Sequence, residues 1–229
     1  MDNSSEIQHN VSSMSKHQSH SGSAALSLVE AYWDALRAGR EMPKRSEIDP
    51  RGIESALEHA FILERVAPGV ARMRIAGSHL HDIMGMEARG MPITAFFEQD
   101  ARLKIAGLLE EVFQTPATAE VLMQSSASLG QSTLEARMIL LPLKSDLGDV
   151  SRILGCMVSL GDIGTAPRRF DVRSVTTRKL GKAHLSDTPS TPNAFNEAPQ
   201  TFTPQAPMPE APVVSNRRPP YLRLVKNDT

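Results

Sequence analysis

Long apolar runs are missing from this chain of 229 residues. The longest, Met138 to Leu141 with Leu143 beyond Pro142, is strand-sized, far short of the ~20 residues that a bilayer-spanning helix needs. No membrane role is expected. Cysteine is nearly absent: Cys156 stands alone, so no internal disulfide can form, and an unpaired thiol suits a reducing, cytoplasmic setting. Aromatic residues make up 4% and the net charge is −1, which with the mixed composition excludes collagen, a coiled coil and a membrane bundle. The first twenty residues are polar and Ser-rich without a secretory apolar centre, so export is not expected. Catalytic signatures are missing too. There is no G-x-G-x-x-G, P-loop, H-E-x-x-H or G-x-S-x-G, and Glu110 and Glu111 are helix neighbours that diverge instead of forming an acid–base pair. The expectation is a chain that is not an enzyme.

What is present divides the chain into four parts. Residues 1–23 hold eight serines and three histidines and too little apolar surface to offset the entropy of ordering, which predicts a disordered arm. Residues 24–166 carry the apolar periodicity of one domain. Residues 167–186 form a basic connector: over 167–185 there are 6 Lys/Arg against 1 Asp/Glu, whereas 24–166 holds 14 against 19. Residues 187–220 contain nine of the sixteen prolines and read as an extended linker. Arg217 to Lys226 follows, a short basic and apolar motif that reads equally as a segment adding a strand to a sheet edge and as a solubilised tail with incidental apolar residues.

Within the domain, Ala25, Leu28, Val29, Tyr32, Trp33 and Leu36 recur at helical spacing and Gly39 offers a left-handed stop. Asp49 followed by Pro50 marks a second helix start. Strands are predicted over 60–66 and 70–76, joined by Ala67-Pro68-Gly69. A short helix from Ser78 to Gly85 and a long one from Asp100 to Gln114 come next, and three strands follow over 117–125, 132–143 and 151–162. In the middle one Leu134, Ala136, Met138 and Leu140 alternate with Thr133, Glu135, Arg137 and Ile139, the period of a half-buried strand. The order predicts an α+β fold, an antiparallel sheet of five strands with helices over one face, preceded by an amphipathic N-terminal helix.

The stretches YWDALRAGREMPKRSEIDPRGIESALEHAFILE, RIAGSHLHDIMGMEARGMPITAFF and LEARMILLPL resemble a family of PAS-like proteins, mostly alphaproteobacterial, whose role is largely undefined. An aromatic pair, Arg37, Pro43, Arg45 and the Asp49-Pro50-Arg51 turn fall together at matching spacing. The resemblance implies a five-stranded PAS fold acting as a sensory or docking module. Its concave face can hold a small apolar ligand or a partner, its output runs through the N-terminal helix, and it works by association with a protein such as a sensor kinase, or with a second copy as a homodimer. The flavin-adduct cysteine of some relatives has no counterpart before the long helix, and no cofactor is assigned.

Candidate residues follow from both readings. His79, Met84, Met123, Met138 and Cys156 are candidate ligand-lining residues, with Met73 and Met157 as further thioethers able to repack around varied ligands. Tyr32, Trp33, Arg37 and Arg45 are candidate partner or dimer contacts. His79 and His81, two apart on a helix, point apart and cannot share one metal ion, so no metal site is expected, and His59 has no suitably spaced partner. Cys156 on an apolar strand face is expected to behave as a small hydrophobe. The alternative function is a nucleic-acid-associated regulator using 168–182, where Arg168, Arg169, Arg173, Arg178, Lys179 and Lys182 have only Phe170 as an interleaved aromatic.

Overall fold

Helix α1 spans residues 22–37 of the computed structural model, which describes residues 22–127 and 132–181. It ends where Ala38 and Gly39 turn left-handed, at φ +46° and +79°. The described residues belong to one compact unit. Residues 1–21 of the arm, residues 182–186 of the connector, the proline tract and the Arg217–Lys226 motif lie outside them.

The turn at Asp49 forms as its residues require. The Asp49 carboxylate accepts from Arg51 N at 3.0 Å and Pro50 opens the segment, yet Pro50–Ala56 is a 3-10 helix with a kink at Ile53 and not an α-helix. Strands β1 (Ala60–Ala67) and β2 (Val70–Ala76) form the expected hairpin, with Gly69 at φ +67° in its turn. Helix α2 (Ser78–Met84) stops at left-handed Gly85. A 3-10 turn at Ile93–Phe96 leads into helix α3 (Gln99–Gln114), which buries Ile105, Leu108, Leu109 and Val112. Strands β3 (Ala117–Ser125), β4 (Leu134–Lys144) and β5 (Val150–Leu160) complete the predicted set.

A sixth strand, β6 (Asp171–Lys179), was not expected. The sheet is wholly antiparallel in the order β2-β1-β5-β4-β3-β6, so the segment read as a basic connector supplies an edge strand beside β3, and the sheet runs past residue 166. The reason is physical. An edge strand is held by main-chain hydrogen bonds, which leave no trace in hydropathy, and its polar side chains face solvent. Phe170 anchors it: the ring is fully buried, its N donates to Phe96 O at 2.9 Å and its O accepts from Glu98 N at 3.0 Å.

Two apolar layers flank the sheet. Helices α2 and α3 cover one face with Leu63, Met73, Val121 and Met138 beneath them. Helix α1 and the 3-10 segment Pro50–Ala56 cover the other, over Ile62, Ile139, Leu141 and Leu154. Trp33 locks α1 down. It is 2% exposed and its Nε1 donates to Pro142 O at 3.0 Å.

Candidate functional site

The inner face, under α2 and α3, gathers the methionines. Met73, Met84, Met123, Met138 and Met157 come from five different elements into one buried cluster. Strand parity brings Met123 and Met138 to the same face, and α2 lowers Met84 onto it. Phe61, Phe96, Phe97 and Phe113 share this layer, and a Cβ at Gly155 would collide with the Phe61 ring, so the absence of a side chain there lets Phe61 lie flat across β5. The residues of this layer are buried together in one cluster, and thioethers supply its most deformable part.

Cys156 is not part of it. On β5 it neighbours Met157 and therefore points to the opposite, α1-covered layer. The alternation of β5 was legible in sequence, but parity does not say which face meets which helices. Burial pushes the thiol up to about 12, so it packs as a hydrophobe and holds little thiolate.

His79 also lies apart from the methionines. Its Nε2 accepts from Ser159 N at 3.2 Å and sits 3.2 Å from Ser159 Oγ, and its ring meets that of His59 edge-on with centroids 4.6 Å apart. His59, expected to have no partner, is thus paired with a histidine twenty positions away, a contact that only the docking of α2 beside β5 creates. Burial, then the neighbouring His59, lowers His79 to about 4, and burial lowers His59 as well. His59 Nδ1 is buried without a hydrogen-bond partner among the described residues. The pair borders a cavity of about 350 Å³ with Glu58, Ser159 and Asp162. No group of three or more ligating side chains able to hold a metal occurs among the described residues. His81 is used structurally, its Nδ1 accepting from Ala88 N at 3.0 Å.

Of the candidate contact residues, Trp33 is spent inside the domain, because an indole that reaches a buried carbonyl gains more from the sheet than from solvent. Tyr32 is half-buried and bound to the Asp49 turn, its hydroxyl donating to Asp49 O at 3.0 Å and accepting from Asp49 N at 2.8 Å. Arg37 stays at the surface, 2.6 Å from the Asp34 carboxylate and 5.7 Å over the Trp33 ring. Arg45 lies at the rim of an apolar groove on the outer face, beside Ile48, Ile53, Leu57, Ile62 and Ile75. Sequence reasoning missed this groove, since its walls come from three separate segments.

The basic run divides: Arg168 is buried, Arg169, Arg173, Arg178 and Lys179 are exposed, and Lys182 lies outside the described residues. Arg168 is 1% exposed and donates to Ser132 O at 2.6 Å, Ser125 Oγ at 3.2 Å and Ile163 O at 3.3 Å. Arg178 pairs with Glu30 of α1 at 2.6 Å, and Arg173 bonds Gln124. The two edges of the sheet also differ. Beside β2 the loop at 88–92 lies along the strand, with Met73 N donating to Met91 O at 2.9 Å and Gly90 N donating to Met73 O at 2.7 Å. Among the described residues strand β6 is paired with β3 alone, and seven of its nine residues, Arg173 to Lys179, are exposed. No described helix is long and apolar enough to cross a membrane.

A family model described as PAS domain matches residues 20–158 of the chain. No curated protein matches it.

Proposed function

The chain belongs to the PAS domain family, and on that premise we propose that it is a non-enzymatic signalling module that acts by associating with a protein partner. The observation that carries this reading is the asymmetry of the sheet edges. One is covered by the 88–92 loop. The other, β6, is nine residues long and terminal in the sheet. A long edge strand presents unpaired main-chain groups that a partner strand can extend, and β6 carries Arg173, Arg178 and Lys179 to favour an acidic segment. A cytoplasmic partner such as a sensor kinase fits this mode. Homodimerisation through two β6 strands would use the same groups.

The test is partner capture with the full chain, followed by hydrogen exchange of the complex. The expected result is slowed exchange at β6 amides on binding. Protection confined to α1 or to the α2–α3 side, with β6 unchanged, would overturn the edge-strand mode.

A second reading, a small apolar ligand in the concavity, is favoured by the convergence of five methionines on the inner face. A ligand there would lie against those thioethers, which repack readily around varied shapes. Native mass spectrometry and a visible absorption spectrum of the purified protein test it: a retained mass or colour supports the ligand. The nucleic-acid reading has lost Arg168 to the interior. It predicts binding that weakens steeply with salt, whereas strand addition, held by main-chain hydrogen bonds with charge as a secondary contribution, predicts a shallower dependence.

A further inference from the structure

We propose that the groove on the outer face is a binding site for small amphipathic carboxylates, molecules with an apolar chain and one anionic head. This site is separate from the methionine-lined inner face and from the β6 edge. Its volume is about 280 Å³ and its walls are almost wholly apolar, with Ile48 and Ile53 from the 3-10 side and Ile62, Ile75 and Leu154 from the sheet. That suits a short hydrocarbon chain. Leu57 and Ile75, both lining it, are 39% and 49% exposed, so its opening is apolar too.

The charge at the rim selects the head group. Arg45 borders the groove and is half-buried. Among the described residues its guanidinium makes no hydrogen bond or ion pair, while Arg37, Arg40, Arg65, Arg74, Arg137, Arg152 and Arg178 all meet carboxylates. A planar fork of donors beside an apolar slot matches a carboxylate bidentately. A cationic head would be repelled there, and a neutral hydroxyl would answer the fork with one weaker bond and no opposite charge. The chemistry therefore points to a monocarboxylate with its chain among Ile53, Ile62 and Ile75 and its head on Arg45.

The experiment titrates the full chain with sodium octanoate, well below its micellar range, and with 1-octanol and octylammonium as controls, followed by amide NMR. Octanoate is expected to saturate and to shift the amides of Ile53, Ile62 and Ile75. Arg45→Gln should weaken octanoate about tenfold, the loss of one charge-assisted pair, and leave octanol unchanged. Ile75→Trp, at an exposed position, should block all chain-bearing probes with an unchanged far-UV spectrum, and Leu57→Trp serves the same purpose if the first variant does not fold. The proposal is overturned if octanoate gives no saturable shift. Equal binding of octanoate and octanol with Arg45→Gln neutral overturns it, as do shifts confined to the amides of Met84, Met123 and Met138. Concentration-dependent self-association that Ile75→Trp abolishes and octanoate leaves untouched would assign the groove to a second copy instead.

Discussion

Tyr32 and Asp49 are joined twice: the tyrosine hydroxyl accepts from Asp49 N at 2.8 Å and donates to Asp49 O at 3.0 Å. One side chain on α1 thereby satisfies both main-chain groups of the residue that opens the next 3-10 segment. Gly52 completes the joint, for a Cβ there would strike the Tyr32 ring.

Tyr32→Phe is therefore expected to destabilise the domain by about 1 kcal/mol, leaving Asp49 N to water while Asp49 O keeps its bond from Gly52 N at 3.1 Å. Gly52→Ala should cost about 1–3 kcal/mol because the ring must move. Urea unfolding of both variants and of the pair together measures this. If the double variant costs as much as the two singles added, the two residues do not act on one joint.

Acid should weaken the fold through His79 and His59. Both bind a proton less readily folded than unfolded, His79 down to about 4. The unfolded chain protonates first, near 6.5, so stability is full above that pH and is lost as pH falls from there toward about 4. Denaturation midpoints at several pH values read the effect. Replacing His79 by Gln should flatten the slope in that window, and an unchanged slope would mean that other groups carry it.

Arg168 is expected to act as a core residue. Arg168→Met removes donors to Ser125 Oγ, Ser132 O and Ile163 O and should cost about 2–4 kcal/mol. Thermal unfolding of this variant should show the loss, while Arg169→Met, at an exposed position, should be near neutral. Equal midpoints for the two would show that burial of Arg168 contributes nothing.

Cys156 should resist thiol reagents. Full burial and a thiol raised to about 12 predict that a disulfide reagent modifies it only as fast as the chain opens, with rates rising in denaturant along with unfolding. Modification of native protein within the mixing time would contradict this.

The strands and long helix were legible wherever one face is apolar and the other wet. Ile105, Leu108, Leu109 and Val112 mark α3, and the alternation through Leu134, Ala136 and Met138 marks β4, because the period of burial is written directly in residue order. Beyond that, order along the chain falls silent. Parity assigned Cys156 and Met157 to opposite faces without saying which face α1 would cover.

Sequence by itself determined the α+β plan, the Asp49-Pro50 turn, the hairpin at Gly69 and membership of the fold family, all of which depend on neighbours within a few residues or on a recurring pattern. Tertiary structure alone decided that His59 meets His79, that Arg168 is buried, that Trp33 reaches Pro142, and that Arg45 borders an apolar groove. Each of these joins segments far apart in the chain. Such contacts are settled by the free energy of packing whole elements together, which no local pattern records.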